Sequence, residues 1–94
     1  MFDIRLVDEG RILLSGRLDA SQVDSARAVL GSVTKSCTLD FSELEYISSL
    51  GLGVLLEAQK RLSQTGQGLV ITNLSEHIAD LFKLAGFHLI FEIR

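Results

Sequence analysis

The sequence has no proline and no tryptophan, and only one cysteine and one tyrosine in 94 residues. Without proline, a composition shift or a low-complexity tract, nothing marks a linker. The length suits one compact domain, residues 1–94, with a single hydrophobic core. A lone cysteine, Cys37, excludes an internal disulfide and fits a reducing cytoplasm. It lies in the apolar run SCTLDF, where a buried structural thiol belongs. Basic excess is also missing: nine Lys and Arg against 12 Asp and Glu give a net charge of -3, no footprint for nucleic acid or anionic lipid. No apolar stretch approaches the roughly 20 residues of a bilayer span, so no membrane insertion is expected. The opening MFDIRLVDEG carries charges at its third and fifth positions and reads as neither signal nor transit peptide. A cytoplasmic protein is the expectation.

What is present is periodicity. FDIRLV alternates apolar and polar residues as a half-exposed strand does, DEG signals a turn, and RILLSG reads as a second strand. SQVDSARAVLG reads as a helix with Ser21 as N-cap, Asp24 three residues on, and Gly31 at its end. CTLDF is a short strand, LGLGVLLEAQKRLSQTG a helix closing at Gly66, and GLVIT a strand. SEHIADLFKLAG is a helix capped by Ser75 and ended by Gly86, with Ile78, Leu81, Phe82 and Ala85 on one face. HLIFEI is the last strand. The order β-β-α-β-α-β-α-β predicts an α/β domain built on a mostly parallel sheet with an antiparallel N-terminal edge strand.

In parallel βα units the strand-to-helix loops lie at the carboxyl end of the sheet, where such sheets bind ligands. That rule gathers Gly16 to Asp19, Ser48–Ser49 and Asn73 to Ser75 at one end. The stretch YISSLGLGVLL stands out there, with two hydroxyls and two glycines where a strand becomes a helix. On a wheel of 100° per residue, Lys60, Arg61 and Gln64 join Glu57 on the polar stripe, and Leu52, Leu55 and Leu62 lie opposite. Gln59 projects inward without an evident reason. Leu50 falls on the polar side, flanked by Gly53 and Val54, so the first turn presents an apolar, glycine-thinned surface beside Ser49. Ser49 sits at or next to the N-cap, where a hydroxyl satisfies a free N–H and where a phosphate is also favoured. Capping and modification are both open at this point. GLG lacks the rest of a dinucleotide or P-loop fingerprint. His77 and His88 have the spacing of neither a metal site nor a triad, and Asp8, Glu9, Glu43 and Glu45 read as turn and surface charges.

LDFSELEYISSLGLGVLLEAQKRL resembles the core motif of STAS domains, the bacterial anti-sigma factor antagonists (anti-anti-sigma factors). GRLDASQ resembles the family's Gly-x-Leu-Asp, and LVITNLSEHIADLFKLAGFHLIFEI its C-terminal third. Position by position, the resemblance implies Ser49 as phosphoacceptor, Asp19 as the strand-end aspartate, and Asp40 with Ser42 as the pair after the third strand. Two positions depart from the pattern: Ser48 stands where Asp is frequent, and Leu50 where a small residue is usual. The resemblance implies a non-enzymatic protein-binding switch. An anti-sigma factor with serine-kinase activity phosphorylates Ser49 with ATP, the unphosphorylated chain captures that factor and frees a sigma factor, and a phosphoserine phosphatase resets it. Asp19, Ser48, Ser49, Leu50, Gly51, Gly53 and Val54 form the expected partner-binding site, and no cofactor or metal is implied. The alternative within the family is a non-switching scaffold subunit of a larger signalling or transport complex.

Overall fold

A computed structural model describes residues 1–94. A hairpin opens the chain, strand β1 (Phe2–Asp8) and strand β2 (Arg11–Leu18), turning on Gly10 at φ 80°. A single turn of 3-10 helix (Ala20–Gln22) leads into helix α1 (Val23–Gly31), then strand β3 (Cys37–Ile47) and helix α2 (Ser49–Ser63). Strand β4 (Leu69–Thr72), helix α3 (Glu76–Leu84), a second 3-10 turn (Phe87–Leu89) and strand β5 (Glu92–Ile93) complete it. The five-stranded sheet runs β1-β2-β3-β4-β5, antiparallel at β1–β2 and parallel elsewhere, as the element order predicts.

Each parallel connection steps to the adjacent strand in the same direction, and right-handed crossovers of that kind stack all three helices on one face. A single core of 20 residues fills the space between. Ile12, Leu14 and Leu18 of β2 point into it, as do Ile71 and Leu69 of β4. Phe82 of α3 meets Phe41 of β3 edge-to-face at 6.0 Å between centroids. The opposite sheet face is partly exposed at Leu13, Ser15, Val70 and Thr72.

β3 differs most from expectation. The predicted strand stops at Phe41, yet β3 runs to Ile47, 11 residues in all. Its buried apolar residues are Cys37, Leu39 and Phe41, then Leu44 and Ile47. The step from two to three is explained by irregularities in the β2–β3 register, one between Leu13 and Ser15 and one between Gly16 and Arg17, each adding one residue on β3. A bulge of this kind shifts the inward phase by one, so Leu44 and Ile47 stay in the core. The last strand is shorter than predicted: Phe87–Leu89 form a 3-10 turn, leaving only Glu92 and Ile93 paired. Phe87 and Phe91 explain the difference: besides packing on Phe82 at 5.7 and 6.0 Å, their rings lie 5.5 Å from each other, which two residues four apart in an extended segment, separated by roughly 13 Å, would not allow.

Candidate docking site

Leu18 at the end of β2 pairs with Ile47 at the end of β3, and the Leu18 carbonyl accepts a hydrogen bond from Ser48 N–H at 2.9 Å. The start of α2 is thereby fixed against the end of β2, with Asp19 the next residue along. Gly51 makes the close approach possible. A β-carbon there would stand 2.9 Å from side-chain atoms of Ile47 and Leu18 and 3.0 Å from the Leu18 carbonyl oxygen.

The two hydroxyls divide their work. Ser48 is the N-cap, extended at φ -85° and ψ 169°, and its side-chain oxygen accepts from Gly51 N–H at 3.1 Å. Ser49 is the first helical residue and exposed, and its hydroxyl takes no part in the cap. Leu50 is 59% exposed. Nothing lies within 4 Å of the position a β-carbon on Gly53 would take. Ser49, Leu50 and Gly53 therefore share an open, thin surface on the first turn of α2.

Two members of the expected surface are not on it. Val54 is only 2% exposed and Gly51 is buried. α1 covers the Val54 side of α2, held there by Arg27, which donates to both Glu57 carboxylate oxygens at 3.1 and 3.2 Å. Arg61 reinforces the contact by donating to the Leu30 and Val33 carbonyls at the end of α1, each at 2.8 Å. The polar stripe of α2 is thus partly an interface, and the wheel placed Val54 outside only because it lacked α1.

Ser21 is not the N-cap of α1. Asp19 caps the preceding 3-10 turn instead, accepting from Ser21 N–H at 3.1 Å and from the Ser21 hydroxyl at 2.6 Å. The Ser21 hydroxyl bond, foremost, holds the Asp19 carboxyl below its ordinary value against the opposing effect of burial; Ser21 N–H and the Arg17 charge add to it. Ser75 does cap α3, accepting from Ile78 N–H at 3.2 Å.

The Asn73 loop does not join the cluster. Thr72 pairs with Asp40, whereas Leu18 pairs with Ile47, seven residues further along β3. At the rise of a strand that is a separation of up to roughly 20 Å. Asn73 instead serves Asp40, donating through Nδ2 at 3.0 Å while Arg11 donates at 2.7 Å and Ser42 N–H at 2.9 Å. Burial pushes the Asp40 carboxyl upward, but the bonds from Asn73, Ser42 and Arg11 outweigh it and hold the group well below the carboxylate range. Asn73 reaches this position with φ 60°, a left-handed conformation that asparagine tolerates. Asp40 and Ser42 therefore lock the sheet and stand apart from Ser49.

Within the Gly16 to Asp19 segment, one contact was missed by sequence reasoning. Arg17 lies with its guanidinium carbon 4.4 Å from the Tyr46 ring centre, on paired residues just before Leu18 and Ile47. The β3 bulges hide that pairing from any count along the sequence. His77 and His88 are exposed, and no group of three His, Cys, Asp or Glu is placed to hold a metal ion.

A family described as "Mlab, STAS domain" matches residues 4–92. The chain belongs to the STAS domain family. Its similarity to individual relatives is consistent with that. The anti-sigma-B factor antagonist of Listeria monocytogenes is 33% identical, over 96% of this chain and 82% of that one. BtrV of Bordetella bronchiseptica, named as an anti-sigma factor antagonist, is 36% identical over 79% of this chain, and the match spans 58% of BtrV's length. The anti-sigma factor antagonist SpoIIAA in its unphosphorylated form superposes with a TM-score of 0.77 at 20% identity, covering 100% of this chain and 88% of SpoIIAA. SpoIIAA of Bacillus in the phosphorylated form superposes with a TM-score of 0.70 at 22% identity, over 100% and 91%. These relatives are named as antagonists of anti-sigma factors, and the likeness to SpoIIAA is one of fold.

Proposed function

We propose that this STAS domain is an anti-sigma factor antagonist and a phosphorylation-controlled binding switch. Unphosphorylated, it binds an anti-sigma factor through Ser49, Leu50 and Gly53 beside Asp19, and so releases a sigma factor. The bound factor is itself a serine kinase. It transfers the terminal phosphoryl group of ATP to Ser49 Oγ, with loss of the hydroxyl proton and release of ADP, and a phosphoserine phosphatase reverses the modification in the cytoplasm. The observation that carries this reading is the division of labour between the serines. Ser48 Oγ is engaged with Gly51 N–H, while Ser49 Oγ is exposed and uncommitted on a helix N-terminus that favours an added anion.

A phosphate on Ser49 adds about -1.5 to -2 charges at pH 7. The helix dipole and free N–H groups offset that charge within the chain, so α2 remains folded. A partner covering Leu50 would have to desolvate the phosphate, which costs several kcal/mol unless a cation meets it. The test is incubation with ATP and each purified anti-sigma factor of the same cell, followed by intact mass and peptide mapping. One phosphate on Ser49 is the expected result. Label confined to Ser48 overturns the acceptor assignment, and tight binding with no phosphate transfer identifies the non-switching scaffold instead.

A further inference from the structure

β1 is the long free edge of this sheet; the other edge strand, β5, has two residues. Arg17 N–H donates to the Met1 carbonyl at 3.1 Å, and Asp3 and Arg5 continue that pairing opposite Ser15 and Leu13. In an antiparallel pair peptide groups alternate in direction, so Phe2, Ile4 and Leu6 turn their N–H and C=O groups outward to the free edge. The register slips between Leu6 and Asp8, which leaves Phe2 to Leu6 as the regular part of that edge. Leu6 is 65% exposed although it lies on the same side of the pleat as Phe2 and Ile4, which pack on the core. Open edges of this kind pair with other strands unless they are blocked.

We propose that β1 pairs antiparallel with β1 of a second copy of this chain, about a two-fold axis at Ile4. Alternation admits only registers that set Phe2, Ile4 and Leu6 against one another. Centring on Asp3 sets two carboxylates face to face, and centring on Arg5 sets two guanidiniums face to face, both unfavourable. Centring on Ile4 avoids both. Ile4 then faces Ile4, Phe2 faces Leu6 of the other copy and covers it, and Asp3 faces Arg5 of the other copy at two symmetric places. Asp3 and Arg5 already attract one another within each chain at 3.7 Å, and the pairing exchanges those two exposed contacts, one in each copy, for two across the axis. About six backbone hydrogen bonds form. Because the two β2 strands then run in opposite directions, the two Ser49 sites lie at opposite ends of a continuous sheet, and both stay open. The pairing depends on β1 alone and not on the function assigned to Ser49.

The contact is small, so the dimer is weak and concentration-dependent. Sedimentation equilibrium of the full chain should show its mass rising from one copy toward two between micromolar and millimolar concentration. Amide exchange at Phe2, Ile4 and Leu6 should slow over the same range, while Asp3 and Arg5, already bonded to β2, should not change. Asp3→Arg and Arg5→Asp each oppose like charges at both places and should remain monomeric. Mixed in equal amounts, these two chains should pair with one another as the wild type does, with circular dichroism confirming that each is folded. A wild-type chain monomeric throughout, single variants that dimerise unchanged, or exchange at Phe2, Ile4 and Leu6 independent of concentration would each overturn the proposal.

Discussion

Adjacent serines at the entrance to α2 have different fates because a helix starts between them. Ser48 is extended and can reach back to Gly51 N–H, whereas Ser49 already has helical geometry and points its hydroxyl away. Ser48→Ala should therefore lower stability by about 1 kcal/mol, and Ser49→Ala by no more than a few tenths. Thermal or urea unfolding of both variants checks this, and equal losses would mean that the cap is shared. The two glycines differ in the same way. Gly51→Ala forces a β-carbon against Leu18 and Ile47 and should destabilise by about 1–3 kcal/mol. Gly53→Ala meets open space within a helix and should stabilise by up to about 1 kcal/mol. If Gly53 lies in the partner contact, that more stable variant should also bind its anti-sigma factor more weakly, a combination that a purely structural glycine would not give.

At the scale of elements, most of the fold is legible in the sequence because its helices and the β1–β2 hairpin obey simple periods and end on glycines. Ile78 and Phe82 lie on the one apolar face of α3, and Gly86 follows with φ 74°. β3 is less legible, since two bulges break its alternation and lengthen it. Gln59, which had no evident role on the helical wheel, accepts from Leu69 N–H at 2.7 Å and so anchors the start of β4. That bond joins residues brought together only by the α2–β4 connection. Of the candidate site, Ser49 and Leu50 were legible as exposed and Gly53 as open, because the helical wheel sets Leu50 and Gly53 on the polar side of α2 next to Ser49 at its start. Val54 and Gly51 were not, because their burial depends on α1 and on the end of β2. Asp40 was legible by its place in the motif, but its physical role was not. It ties β2, β3 and the turn after β4 through Arg11, Ser42 and Asn73, so Asp40→Asn should cost about 2–3 kcal/mol. Because the folded pKa is depressed, this stabilisation is complete above the ordinary value of 3.8 and is lost as pH falls below it. Stability measured by urea unfolding from pH 7 to pH 3 should fall less steeply in Asp40→Asn than in the wild type. Parallel curves would show that Asp40 does not carry the acid dependence.

For the whole molecule, the proposed function rests on a two-layer scaffold that presents one short apolar surface and one free hydroxyl at the carboxyl ends of β2 and β3. In the proposed switch, modification of that hydroxyl changes the surface without changing the fold, and that separation is the core of the account. Leu50→Asp imitates it by charging the same surface while leaving the core untouched, and it should weaken binding even with Ser49 unmodified. The most direct measurement is calorimetric titration of the cognate anti-sigma factor with the unphosphorylated and the Ser49-phosphorylated chain, with circular dichroism on both. The expected result is identical folded spectra and an affinity lower by roughly a thousandfold after phosphorylation, a difference of about 4 kcal/mol. Equal affinity for two equally folded forms would contradict the switch.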